Sequence, residues 1–156
     1  MDQRFTDGFW HSADGLKLHY RDYPGGSEGQ PPIVCMHGLT RNARDFSGVA
    51  ERLSPEWRVI VPEMRGRGAS DYAEHSDSYN PLQYVEDVEI LLSELGIDRF
   101  VAIGTSLGGL MTILLASRGA GRIAGAVLND IGPEIEPEGL EKIRSYVGQA
   151  RSFPTW

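Results

Sequence analysis

The sequence is poor in cysteine, in clustered histidines and in long apolar runs. Cys35 is its one cysteine, so no disulfide forms within the chain, and its apolar neighbours predict a buried thiol without a catalytic role. No run reaches membrane-spanning length and no apolar leader opens the sequence, so we expect a cytoplasmic protein. The four histidines are scattered and the aspartates lack ligand spacing, so we expect no metal and no cofactor.

Basic residues are also fewer than acidic residues. The 156 residues carry 15 Lys and Arg against 22 Asp and Glu, a formal net charge of −7. Nucleic acids and anionic membranes attract basic surfaces, so we expect neither as a partner. The remaining composition, 40% hydrophobic and 24% charged, is typical of a folded globular protein.

Hydrophobic patterning predicts an α/β fold. Alternating stretches at 5–10 and 16–23, separated by the turn signal Ala13-Asp14-Gly15, predict an antiparallel hairpin. Strands and helices then alternate, which predicts a mostly parallel sheet with helices on both faces. The predicted strands are 32–36, 58–61, 100–103 and 123–128, and the predicted helices are 42–53, 81–95 and 107–117. Beyond 129 the composition becomes acidic and rich in Pro and Gly, with a short helix predicted at 140–147.

The turn Gly104-Thr105-Ser106-Leu107-Gly108 lies between a predicted strand and a predicted helix. Glycines on either side relieve crowding in such a turn and expose the serine hydroxyl, which favours Ser106 as a nucleophile. The N–H of Leu107 begins the helix, where unpaired donors and the helix dipole favour an oxyanion. The segment lacks the Lys of a P-loop and the second Gly of a dinucleotide motif.

A second motif, His37-Gly38-Leu39-Thr40, directly follows another predicted strand. Gly38 allows the backbone to bend, so that the N–H of Leu39 becomes a second oxyanion donor. We expect His37 to hydrogen-bond the loop and hold its shape rather than to act as a base. We also expect His37, Gly38 and Thr40 to border the bound substrate.

With Arg65-Gly66-Arg67-Gly68-Ala69-Ser70 after the fourth strand, these motifs resemble the N-terminal part of α/β-hydrolase-fold enzymes. The resemblance implies Ser106 as nucleophile and the Leu39 and Leu107 amides as oxyanion hole. It also implies that residues 1–133 form the N-terminal part of the core and 134–156 the start of a cap. Glu63 departs from the Asp that many members carry, and we expect from it only a small effect on loop geometry.

The rest of a catalytic triad is missing. In this family an acid and then a histidine follow the nucleophile, whereas all four histidines here precede Ser106. Asp130 is a candidate acid, although we expect it to cap a loop. Single α/β domains commonly have about 200–250 residues. We therefore expect the chain to be one piece of a longer polypeptide, whose C-terminal segment is the partner that supplies the histidine.

The resemblance favours a serine hydrolase that cleaves a small ester, lactone or similar carbonyl substrate through an acyl-enzyme. The same site also suits carbon–carbon bond hydrolysis or cofactor-free haloperoxidase and perhydrolase chemistry. A non-catalytic binding protein of the same fold is the third hypothesis, because fold alone does not set function.

Overall fold

Six strands form one sheet in the computed structural model, which describes residues 4–119, 121–132, 134 and 136–146. Their spatial order is β1-β2-β4-β3-β5-β6, with β1, β2 and β4 paired antiparallel and β4, β3, β5 and β6 paired parallel. The predicted α/β class, with an N-terminal hairpin on a mostly parallel sheet, is confirmed. The strands are β1 Thr6–His11, β2 Lys17–Tyr23, β3 Ile33–Met36, β4 Val59–Pro62, β5 Phe100–Thr105 and β6 Ile123–Asn129.

Helices cover both faces of this sheet. Helices α2 (Pro81–Glu94) and α3 (Leu107–Arg118) bury Val88 and Met111 against one face, over Val34 and Ile60. Helix α1 (Ser47–Leu53) and the 3₁₀ turn Ala43–Phe46 cover the other face, over buried side chains that include Cys35. Burial raises the pKa of Cys35 to about 12, which agrees with a structural thiol.

Helix α2 has the predicted ends. The Asn80 side chain accepts a hydrogen bond from the N–H of Gln83 at 3.0 Å, and Pro81 occupies the first turn. Gly96, with φ of +65°, follows the last helical residues. Capping signals of this kind act locally, which is why the sequence alone predicted this helix well.

The predicted helix 42–53 is split. Its first turn is 3₁₀, because the Asp45 N–H bonds the Asn42 carbonyl three residues back while the Asn42 side chain caps Arg44. The helical spacing of Phe46, Val49, Ala50 and Leu53 predicts that they share one apolar face, but Val49 is 45% exposed. It borders an open depression with Ile103, which is partly buried, and Val127, which is 53% exposed.

The last elements are the most exposed. Strand β6 lies at the edge of the sheet, with Val127 53% and Leu128 43% exposed. Helix α4 spans Pro137–Tyr146, beginning three residues before the prediction because a proline suits a first helical turn. The predicted end at 147 lies outside the described residues. Among the helices of the described residues, none is long and apolar enough to cross a membrane.

Candidate active site

The candidate nucleophile lies at the junction of β5 and α3. Ser106 has φ of 51° and ψ of −110°, a conformation that is costly for any residue with a Cβ. Its carbonyl accepts bonds from the Gly109 and Leu110 amides at 2.9 and 3.1 Å, and its own N–H donates to Asn129 at 2.9 Å. Contacts from α3 and β6 therefore hold the strained turn.

Two glycines make this turn possible through close packing. A methyl group on Gly104 would overlap the carbonyl of Gly108, the second residue of α3. A methyl group on Gly108 would overlap the carbonyl of Met36, at the end of β3. The first turn of α3 thus lies directly against the ends of β5 and β3, and Ser106 projects above the carboxyl edge of the sheet.

The segment that follows β3 lies beside Ser106. A Cβ on Gly38 would stand 3.9 Å from the Ser106 Cβ and 3.8 Å from the Thr105 carbonyl. Leu39, Ser106 and Leu107 line one cavity of about 610 Å³. The structure therefore brings together the residues that the resemblance implies for the nucleophile and the two oxyanion donors.

Most of this cavity is apolar, with an acidic margin. Leu110 and Ile131 line it near Ser106, while Asp130, Glu134 and Glu136 add negative charge from the segment after β6. None of the described lining residues is cationic. The remaining lining residues are Pro81, Gly132, Gly139 and Leu140.

His37 is buried inside the loop and does not line the cavity. Its Nδ1 donates to the Gly38 carbonyl at 2.8 Å, and its Nε2 accepts from the Met64 N–H at 3.1 Å. The ring is therefore neutral, and burial lowers the pKa of His37 below its usual value. This geometry agrees with the expected role of His37 in loop shape, and its expected contact with substrate stays a prediction. Thr40 is exposed and lies outside the cavity lining.

The structure places Asp130 in the cavity without a histidine beside it. Asp130 follows β6 with φ of 58°, is exposed and lines the same cavity as Ser106. No histidine lines this cavity: His11 and His75 are exposed elsewhere, and His19 and His37 are buried within their own networks. The described residues therefore contain no candidate base at Ser106.

Two buried ionic networks that the sequence did not reveal support the loop after β4. Arg65 is fully buried and makes two-pronged ion pairs with Asp87 of α2 and Asp14 of the hairpin turn, at 2.8–3.0 Å. Glu63 accepts hydrogen bonds from His19 and from two loop amides. Long-range pairs of this kind have no short-range signature. Among the described residues, no group of three or more acidic, His or Cys side chains has the arrangement of a metal site.

Comparison with known proteins identifies the family. A family profile described as the alpha/beta hydrolase fold matches residues 31–152, and the chain belongs to this family. The chain is 35% identical over 151 residues to a 3-hydroxybutyrate-oligomer hydrolase from Cupriavidus necator, covering 96% of this chain and 52% of that protein. It is 32% identical over 126 residues to an N-formylmaleamate deformylase from Pseudomonas putida, covering 81% and 46%.

Comparison with solved structures identifies the same fold. A crystal structure of an alpha/beta hydrolase from Novosphingobium aromaticivorans superposes with a TM-score of 0.95 at 59% identity, covering 100% of this chain and 54% of that chain. This chain thus spans about half the length of the relatives it matches. The relatives named here are hydrolases, which supports the same broad class for this chain.

Proposed function

We propose that this chain carries the nucleophile and oxyanion hole of a serine hydrolase that cleaves an ester, lactone or similar carbonyl substrate. The observation that carries the proposal is the strained Ser106 turn, which opens into one cavity with Leu39 and Leu107. A serine at positive φ between a strand and a helix is typical of nucleophiles in this fold.

In the proposed mechanism the Ser106 Oγ attacks the substrate carbonyl carbon. The carbonyl oxygen becomes an oxyanion and accepts hydrogen bonds from the Leu39 and Leu107 N–H groups. A histidine takes the hydroxyl proton and passes it to the leaving alcohol as the carbon–oxygen bond breaks. Water then attacks the acyl-enzyme, the histidine takes one proton from that water, and the carboxylic acid is released with Ser106 restored.

The cavity also supports a substrate class. Leucine and isoleucine side chains surround Ser106, and the charged groups at the margin are acidic. An uncharged, mainly apolar acyl group fits such a lining, whereas a carboxylate there would be repelled. We therefore propose uncharged short-chain esters or lactones as substrates.

We further propose that a C-terminal segment of the same polypeptide supplies the histidine and that residues from 134 onward, including α4, begin a cap. The support is the exposed apolar surface of β6 and the lack of a histidine among the described residues that line the cavity. Intact mass spectrometry under native and denaturing conditions tests this. We expect a second polypeptide, or a longer single chain, in any active preparation, and activity from a homogeneous 17.2 kDa species would contradict it.

The nucleophile is tested by labelling the active preparation with a fluorophosphonate and by assaying p-nitrophenyl butyrate hydrolysis. We expect covalent labelling at Ser106 and loss of both signals in Ser106→Ala, with a fall in kcat of at least about 10³-fold. Ser117→Ala is the matched control, since this exposed serine lies at the far end of the same helix. Full hydrolysis by Ser106→Ala would exclude the proposed role.

A further inference from the structure

The segment that carries Leu39 is held at three points by the residues after β4. The Met64 N–H donates to the His37 ring at the start of the segment. The Arg67 guanidinium donates to the Leu39 carbonyl at 3.0 Å. The Glu63 carboxylate accepts from the Ala43 N–H at 2.9 Å, where the segment ends. The position of the Leu39 backbone therefore depends on this neighbouring loop.

Glu63 is the centre of that arrangement. Its carboxylate is 3% exposed and also accepts from the Ala69 N–H at 2.7 Å and from His19 Nδ1 at 2.8 Å. A methyl group on Gly68 would overlap the carboxylate, so the loop closes tightly around it. One side chain thus ties β2, the loop after β4 and the end of the Leu39 segment together.

The partner of Glu63 is a charged histidine. His19 is buried, with Nδ1 at 2.8 Å from Glu63 and Nε2 at 2.8 Å from Asp7. A ring that faces a carboxylate oxygen at each nitrogen donates from both, which requires the imidazolium form. Arg21 and Arg44 line the same depression, and Lys17 lies over the Phe9 ring that packs on His19.

The electrostatics agree with that geometry. Burial alone lowers the pKa of His19, but its bonds to Glu63 and Asp7 outweigh burial and raise it above the usual value. Burial alone raises the pKa of Glu63, but the His19 ring and the two amides outweigh burial and lower it to about 2. The hydrogen-bond geometry and the directions of both pKa shifts therefore favour the ionised pair.

We propose that Glu63, held by protonated His19, is a positioning residue that fixes the Leu39 amide for the developing oxyanion. The proposal rests on the proposed function for the catalytic value of that amide, but not for the placement of the segment. It also corrects the expectation that Glu63 has only a small effect on loop geometry, because the Glu carboxylate bonds the end of the Leu39 segment and His19 as well as its own loop.

Hydrogen exchange followed by mass spectrometry tests the placement without requiring activity. In Glu63→Gln we expect exchange at residues 38–43 to rise about tenfold while β5 amides keep their rates. Asp22→Asn is the matched control, because the Asp22–Arg58 ion pair joins β2 to the chain at the start of β4, at the end away from Ser106. Unchanged exchange at 38–43, or an equal rise in both variants, would overturn the proposal.

Asp7→Asn provides a milder variant if Glu63→Gln does not fold, since the Asp7 side chain is 48% exposed. Exchange at 38–43 is divided by the intrinsic rate at each pH. In the unsubstituted protein we expect protection to fall as rising pH removes the His19 proton, and in Asp7→Asn we expect the same fall at lower pH. Identical pH profiles for the two proteins would contradict the role of His19.

The catalytic consequence is read from p-nitrophenyl butyrate kinetics on the active preparation. We expect Glu63→Gln to lower kcat by about 10- to 100-fold with KM within about twofold, a smaller loss than removal of an oxyanion donor, because the Leu39 amide is displaced and not deleted. Unchanged kcat in a variant with faster exchange at 38–43 would overturn the catalytic half of the proposal. If the unsubstituted protein has no Ser106-dependent hydrolysis, the proposed function fails, while the exchange data still decide the placement.

Discussion

The two flanks of Ser106 differ in how well their residues are buried and hydrogen-bonded by the rest of the chain. On one flank, which we call the closed side (residues 37–43 and 63–70), the buried side chains of His37, Glu63 and Ser70 hydrogen-bond the loop backbone. On the other, the open side (β6 and residues 130–140), Val127 and Leu128 are exposed and the cavity walls are mainly glycine, acidic and apolar residues. Both flanks border the same serine.

In the proposed function the two sides meet two different requirements of catalysis. Stabilising an oxyanion needs fixed donors, and rigid loops supply them without reorganisation during the reaction. Substrate binding and proton transfer need further groups at the open side, where the described residues leave β6 exposed and place no histidine at the cavity. In the proposed function the closed side holds the Leu39 oxyanion donor, and the open side would bind the substrate together with the proposed C-terminal segment.

The largest expected contrast between the two sides is the effect of adding one methyl group. Gly108→Ala places a Cβ on the Met36 carbonyl, so we expect a loss of about 3 kcal/mol or more in the free energy of unfolding. Gly125→Ala, in β6, meets nothing within 4 Å and should change the free energy of unfolding by less than about 0.5 kcal/mol. Urea denaturation of both variants measures the difference.

Similar losses in the two glycine variants would mean that β6 is as tightly packed as the junction of β3 and α3. The comparison of the two sides would then be wrong. A loss confined to Gly108→Ala would show that backbone contact at the junction, rather than a general intolerance of larger residues, sets the position of Ser106.

The closed side should also lose stability at low pH, through protonation of Glu63. Because the pKa of Glu63 is about 2 when folded and near 4.5 when unfolded, its contribution is fully present above about pH 4.5. It is lost as pH falls toward 2, and it is worth at most about 3 kcal/mol. Urea denaturation between pH 2 and 6 measures this slope, which Glu63→Gln should flatten. If the free energy of unfolding falls equally steeply with pH in that variant, other carboxylates cause the loss of stability in acid.

Much of the turn at Ser106 and of helix α2 was predictable from local patterns. The strand, turn and helix around Ser106 follow from short apolar runs and paired glycines, and the cap at Asn80 follows from Asn-Pro. What sequence reasoning missed was long-range: His19 meets Glu63 across 44 positions, and Arg65 meets Asp14 across 51. Only the fold brings such residues together.

The error at Val49, in helix α1, had a different cause. Periodicity placed Val49 in the core because its spacing matches the buried face of α1. The spacing was right, but Val49 borders an open depression in which Ile103 is only partly buried and Val127 is 53% exposed. A hydrophobic pattern indicates which face of a helix is apolar. It does not indicate whether the residues that bury this face belong to the same chain.

The smallest expected effect is a matched valine substitution on the two sides. Val61→Thr buries a hydroxyl at a fully buried position of β4, and we expect it to lower the free energy of unfolding by about 1–3 kcal/mol. Val127→Thr lies where 53% of the side chain is exposed, so we expect a change below about 0.5 kcal/mol in the isolated chain. Urea denaturation of the isolated chain compares the two, and an equal loss would contradict an uncovered β6. If the proposed C-terminal segment covers this strand, the cost of Val127→Thr should approach that of Val61→Thr only when the segment is present, because the same hydroxyl is then buried.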